Sequence, residues 1–261
     1  MTASFVHAFH GEWLKRKRSF ASTLVVGGSL FTPAIIIAVR LLHHRGLAPI
    51  YAKPGFWQEL WRSSWESMAI FFLPLAAILA TSLIVQIEFK GNAWKQVHAL
   101  PVSAAVIFLA KLAVILIVMA KFLLLFNAGV FLAGIVPYGL VRGVPKPAGT
   151  FFDLPLVREN ALYFVDALPI VAAQYLMALR SPNVLVPIGA GFMAWVAALA
   201  SISSGYAIWW PYAYTTIHYL QDKPKGAHLA AFTQLHWLAA ATFVALTAIG
   251  YVLFVTKKEK G

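Results

Sequence analysis

The side chains able to move protons or hold a metal ion are eight histidines and nine carboxylates, and no cysteine accompanies them. Without cysteine there are no thiolate ligands, cysteine nucleophiles or disulfides, and any redox compartment is allowed. The histidines are His7, His10, His43, His44, His98, His218, His228 and His236. They form no HExxH pair, and none stands with a carboxylate at metal-ligand spacing. His43 and His44 close an apolar run and read as an interfacial pair. Glu12, Glu59, Glu66, Glu88, Asp153, Glu159, Asp166, Asp222 and Glu259 are scattered. No pair of them on one apolar helix suits general acid–base work or a proton relay. The chain also lacks a GxxxxGK[ST] phosphate loop and a GxSxG nucleophile elbow. The expectation is a chain that is not itself an enzyme, with no metal and no cofactor of its own.

Lysines inside apolar runs are the other chemically informative residues. Lys111 opens a stretch, Ala104 to Val136, that is broken only by itself and Lys121. As a helix that stretch measures roughly 50 Å, against about 30 Å of hydrocarbon. Its start therefore projects beyond the bilayer core, and Lys111 reads as a lysine snorkelling at the interface. Lys121 falls about 15 Å deeper. A charge there is costly, so it should face the bundle interior or find a partner. Asn127 and Asp166 are the candidates, and together with Lys121 they are candidates for a substrate pathway.

The elements that position these residues are membrane spans. The chain is 61% hydrophobic and only 11% charged, far from the balance of a soluble globule. Its net charge of +12 is concentrated at span ends, where it suits anionic headgroups, so nucleic acid is not an expected partner. The reading is a single all-α integral membrane domain with six transmembrane helices at 20–42, 67–86, 104–136, 161–179, 184–203 and 237–255. Arg40 can snorkel at the end of the first. KRKR at Lys15–Arg18 precedes a run too long for a signal-peptide core, so that first span should remain as an anchor. Pro169 and Pro187 should interrupt the fourth and fifth spans. KRKR and the KKEK of Lys257–Lys260 put both termini inside. The aromatic run Trp209–Tyr219 suits an interfacial belt. A sharper reading makes 204–235 a re-entrant outer segment.

Between the second and third spans lies EFKGNAWKQVHALPVS, Glu88 to Ser103. A polar helix between two spans cannot sink into lipid, so it lies at the interface or docks on a soluble partner. On a helix Glu88 and Lys95 share a face two turns apart. Trp94 offers a large amphipathic anchor, and Pro101 fits the first turn of the next helix. An ordinary positive-inside loop explains the same spacing.

The order of elements resembles the permease subunit of an ATP-binding-cassette exporter of the second type. The family pattern is an acidic residue ending span two, a glycine, a segment with Trp or Leu, a PxS turn and a lysine entering span three. Here these are Glu88, Gly91, Trp94, Pro101-Val102-Ser103 and Lys111. The position after the serine, often arginine in the family, is Ala104. The resemblance extends to a basic amphipathic N-terminal helix in AFHGEWLKRKRS, within residues 1–19 and including Glu12, Lys15, Arg16, Lys17 and Arg18. The chain is most similar to small permeases of peptide-antibiotic immunity and of sodium or drug efflux.

The resemblance implies that 88–101 is a coupling helix, with Glu88, Gly91, Trp94, Lys95, Leu100 and Pro101 meeting a separate ATPase subunit. Two ATPase copies would carry ATP and Mg, and a second permease, identical or paralogous, would complete the pathway. The setting implied is the bacterial cytoplasmic (inner) membrane, crossed several times, with an amphipathic peptide, drug or lipid as substrate. A self-contained ion-coupled secondary transporter would want internal repeats and more polar midplane groups than Lys121, Asn127 and Asp166. A non-transporting anchor is the third reading.

Overall fold

The computed structural model describes residues 2–17, 20–90, 102–221, 223 and 233–256, and every regular element among them is helical. Helix α1 spans Thr2–Lys17 and α2 spans Phe20–Leu42. A short helix α3 (Leu47–Tyr51) leads to α4 (Phe56–Ser67). A π-helical turn, Met68–Phe72, joins α4 without a break to α5 (Leu73–Lys90). The longest helix, α6, runs Ala104–Leu140. It is followed by α7 (Leu154–Arg180) and α8 (Leu185–Ser201). Two 3₁₀ turns, Ala207–Trp209 and Pro211–Ala213, precede α9 (Tyr214–Gln221), and α10 covers Leu235–Val255.

Five helical stretches among the described residues are long and apolar enough to cross a bilayer: Phe20–Leu42, Phe56–Ile87, Ala104–Leu140, Pro155–Arg180 and Leu235–Val255. The chain is thus an all-α, multi-pass membrane protein. The expected fifth span is the apolar but shorter helix Leu185–Ser201. The expected second and fourth spans are longer than the sequence suggests because their polar first turns are buried or capped. In α4, Trp57, Trp61, Ser64 and Trp65 are buried. At α7, Asp153 accepts the Leu156 N–H at 3.0 Å as an N-cap, and Pro155 sits in the first turn. Pro169 does not interrupt α7. Pro187 falls in the first turn of α8, where its missing N–H costs nothing.

The core is a seam of α4, α5, α6 and α7, with Trp65, Met68, Ile78, Ile84, Phe122, Phe126 and Tyr175 fully enclosed. Helices α2 and α10 pack on its two sides and leave broad apolar faces outward. Gly129 allows the α2–α6 crossing to close, since a methyl group there would sit 2.8 Å from Pro33.

Two prolines organise the polar contacts inside this apolar frame. A proline in a helix lacks the N–H that would bond the carbonyl four residues earlier, and its ring crowds that carbonyl. Pro137 frees Ala133 in this way, and the Ala133 oxygen accepts from Arg40 Nη1 at 3.1 Å, with the Tyr51 hydroxyl at 3.5 Å. Arg40 therefore turns back into the protein and also bonds the Tyr51 hydroxyl at 3.0 Å, rather than snorkelling outward. Pro74 follows the π-helical turn and leaves two carbonyls open. Ala69 accepts from Thr215 Oγ1 at 2.8 Å, and Ile70 accepts from the Trp195 indole at 3.0 Å. These bonds fasten α9 and α8 to the turn where α4 becomes α5.

Candidate functional site

At the end of the bundle where α5 stops and α6 starts, α1 lies across the start of α6. Its side chains Phe9 and Trp13 pack against the core. Glu12 accepts from Lys15 at 2.8 Å and forms an ion pair with Lys111. Lys111 is 1% exposed, so it does not snorkel; its charge is met inside the protein. Burial opposes the Glu12 carboxylate, but Lys111 and Lys15 outweigh it and hold its pKa below the ordinary carboxylate value. Arg16 is buried and stacks its guanidinium 4.1 Å over Trp13. On the other side of the segment 91–101, Gln86 donates to the Ser181 carbonyl at 2.7 Å and ties the end of α5 to the turn after α7.

The candidates Gly91, Trp94, Lys95, Leu100 and Pro101 lie outside the described residues, as do the side chains of Glu88, Lys17 and Arg18. The expected coupling helix is therefore flanked, on its described sides, by the α1–α6 ion pair and the α5–Ser181 bond.

The three pathway candidates do not come together. Asn127 is buried and fully engaged. It accepts from the Trp61 indole at 3.3 Å and donates to Leu123 O and to Asn160 Oδ1 at 2.8 and 2.7 Å. It is a crosslink between α4, α6 and α7. Lys121 departs from expectation: it is exposed on the outer side of α6, in a stripe with Ile117, Leu124, Ala128 and Leu132. Asp166 is wholly buried, and its partners are two histidines that sequence spacing did not connect to it.

Those partners define the second candidate site, toward the end where α7 begins. His218 of α9 and His236 of α10 converge on Asp166 of α7, with ring nitrogens 2.8 and 2.9 Å from its two carboxylate oxygens. His218 Nε2 lies 3.1 Å from Glu159 Oε2. Burial works against an imidazolium at His218, yet Asp166 and Glu159 outweigh it and raise its pKa to about 9. The ring stacks on Tyr163 (3.9 Å between centroids), which stacks on Trp65 (3.8 Å), so the cluster stands in an aromatic column. Beside it is a cavity of about 240 Å³ walled by Trp61, Arg62, Glu159, Tyr163, His218 and Tyr219. Tyr219 donates to Glu66 at 3.1 Å, and burial together with that carboxylate lifts its pKa to about 12.

The aromatic run that suggested an interfacial belt is divided. Trp209 and Trp210 are exposed, whereas Tyr212, Tyr214 and Tyr219 are buried. Tyr212 accepts from Gln174 Nε2 at 3.1 Å, and Gln174 Oε1 accepts from Ser82 at 3.2 Å, which links the 3₁₀ turns to α7 and α5.

Residues 8–198 match a family model described as an ABC-2 family transporter protein. No curated protein and no solved structure matches the chain.

Proposed function

The chain belongs to the ABC-2 transporter family, and from that premise we propose that it exports an amphipathic substrate with work done by a separate ATPase. Membership makes it a permease subunit that associates with an ABC ATPase in the membrane. In the proposed complex two ATPase copies carry ATP and Mg, and a second permease, a copy or a paralogue, faces this one. The membrane is the bacterial cytoplasmic one. Both termini, α1 and residues 88–101 lie on the ATPase side. The substrate is a peptide, drug or lipid with a large apolar part, consistent with the mostly apolar helix surfaces. The efflux and peptide-immunity permeases named above offer a functional analogy.

The observation that carries this reading is the Glu12–Lys111 pair. It fixes α1 to the first turns of α6, directly after the segment proposed to meet the ATPase. With Gln86 holding α5 to Ser181, a push on 88–101 acts on α1, α5, α6 and the α7–α8 turn together. Packed helices respond to such a push as rigid bodies. Lys121 supports a second subunit or a watery pathway against α6, because a cation about 26 Å along a helix with no ion-pair partner among the described residues is poorly suited to lipid.

The test is the chain co-expressed with an ABC ATPase with which it assembles, comparing wild type with Glu88→Lys/Trp94→Ala. Loss of assembly or of transport-linked ATP hydrolysis is expected. An intact complex with unchanged coupled turnover returns 88–101 to an ordinary loop.

A further inference from the structure

We propose that Asp166, His218 and His236 form a binding site for one divalent transition-metal ion of the zinc type, where α7, α9 and α10 meet. Each residue offers one ligand atom, and these atoms all lie within 4.8 Å of one another. Two imidazoles and one carboxylate are ligands for zinc and its neighbours in the first transition row, whereas calcium and magnesium take oxygen. Metal–ligand bonds of about 2.0–2.2 Å place the ligand atoms of a tetrahedral ion some 3.3 Å apart. The observed approaches of 2.8 and 2.9 Å would have to open slightly, and the wider separations, up to 4.8 Å, would have to close by side-chain rotation.

The geometry at His218 favours an ion between the groups. Its Nδ1 and Asp166 Oδ2 are 2.8 Å apart, yet neither atom is in hydrogen-bonding geometry, and both are fully buried. Glu159 lies 3.1 Å from the opposite nitrogen. An ion at Nδ1 would take the place of the proton that Asp166 otherwise attracts there: Nε2 keeps its N–H toward Glu159, and Nδ1, deprotonated on binding, turns its lone pair to the ion. A carboxylate that orients a histidine through its far nitrogen is the usual outer shell of a zinc-type site. The Tyr163 ring stacked on His218 restricts the imidazole further. Three protein ligands leave a fourth coordination position for water or for a group of a molecule in the adjoining cavity, whose wall His218 forms.

The ion would join three elements that the sequence leaves far apart. Helix α9 has eight residues, too short to be stable alone, and α10 starts only one residue before His236. A metal bridge to α7 fixes both. This inference does not depend on the proposed export activity, and its test is independent of transport.

The full-length chain, purified without a histidine tag and stripped with chelator, is titrated with Zn²⁺ and, separately, Co²⁺. The measurement is made in a background in which the other six histidines are changed to Gln, and folding is checked by circular dichroism and gel filtration. One Zn²⁺ per chain and the visible absorption of tetrahedral Co²⁺ are expected. In that background His236→Gln should weaken binding at least tenfold. Glu159→Ala, which removes the outer-shell acceptor of His218 Nε2–H, should weaken it about 10–100-fold. A folded background that takes up no stoichiometric Zn²⁺ overturns the proposal, as does binding unchanged by His236→Gln. If the background fails to fold, the wild-type chain decides: Co²⁺ absorption retained in His43→Gln/His44→Gln and lost in His236→Gln supports the site, and any other pattern overturns it.

Discussion

Removing the Glu12 carboxylate should release α1 from the start of α6, and replacing both charges should restore it. The side chains of Glu12 and Lys111 are 8% and 1% exposed, so the pair belongs with buried ion pairs, not with screened surface pairs of little worth. Removing one partner of a buried pair costs about 3–5 kcal/mol. At about 1.4 kcal/mol per tenfold, the lower figure shifts α1 from docked toward released by roughly 10²-fold. The apolar contacts of Phe9 and Trp13 remain, so the bundle itself should stay folded. In Glu12→Leu, amide hydrogen exchange over residues 5–17 should therefore rise by about that factor with the chain in lipid nanodiscs, while α6 and α7 keep wild-type protection. In Glu12→Leu/Lys111→Met neither charge is buried, and exchange should return close to wild type. Exchange within threefold of wild type in the single variant would refute the reasoning. A double variant as fast as the single would show that α1 is held by something other than the balance of these two charges.

The same helix should respond to acid with a defined sign. The folded pKa of Glu12 is lowered, so its contribution is complete above the ordinary carboxylate value of 4.5 and declines as pH falls through the lower folded value. Protection of α1 should be flat from pH 7 to 5 after correction for intrinsic exchange, and a loss already present at pH 6 contradicts the assignment. Lys121→Cys should react with a membrane-impermeant maleimide in the assembled transporter if its face meets water, and the chain supplies no competing thiol. Protection in the complex together with a crosslink between copies would indicate subunit contact, whereas silence in both assays places the residue in lipid. Gly191→Ala would drive a methyl group into the Gln174 amide and should lower stability by about 1–3 kcal/mol. Thermal unfolding in detergent checks this against Gly189→Ala, which meets nothing nearby and should be neutral or slightly stabilising.

What the sequence discloses here follows the physical range of each signal. The apolar runs are local and long, so the membrane class and most spans are readable residue by residue. Their ends are less so: the first turns of α4 look polar, and only tertiary packing shows that Trp57, Trp61 and Trp65 are buried. Proline alone does not mark a break: Pro187 falls in a first turn, where it costs nothing, and α7 runs unbroken through Pro169 in its interior. The position of Lys111 near the start of its helix is legible in sequence, but its buried environment is not, since its partner Glu12 comes from a helix whose role depends on docking. Lys121 is exposed on α6, where a deep charge is expected to face inward or find a partner; in the proposed complex a second subunit would supply that interior.

The Asp166 cluster was invisible to spacing because its members lie on three elements brought together by α9. One signal was present: Thr215, Thr216 and His218 are polar residues set among buried tyrosines, and buried polar groups require partners. The carbonyls opened by Pro74 and Pro137 were also legible in principle. Counting back four from each proline finds Ile70 and Ala133, and a donor can then be sought elsewhere in the chain, whereas Ala69, five back, follows from the π-helical turn.

The π-helical turn at Met68–Phe72 sets the phase of everything after it. Such a turn places one more residue in the circuit than an α-helix does. One residue is about 100° of rotation in an α-helix. Ahead of the turn, α4 directs Trp61 and Trp65 toward Asn127 and Tyr163. Beyond it, α5 directs Ser82 toward Gln174 and Gln86 toward Ser181. A straight α-helix through the same residues could satisfy one of these sets and would turn the other by more than a quarter of a circle. The spare residue thus works as an angular offset between two halves of one membrane rod. Deleting it would leave composition and hydropathy almost untouched and yet misalign the half that ends at Lys90, within the segment 88–101 proposed to meet the ATPase.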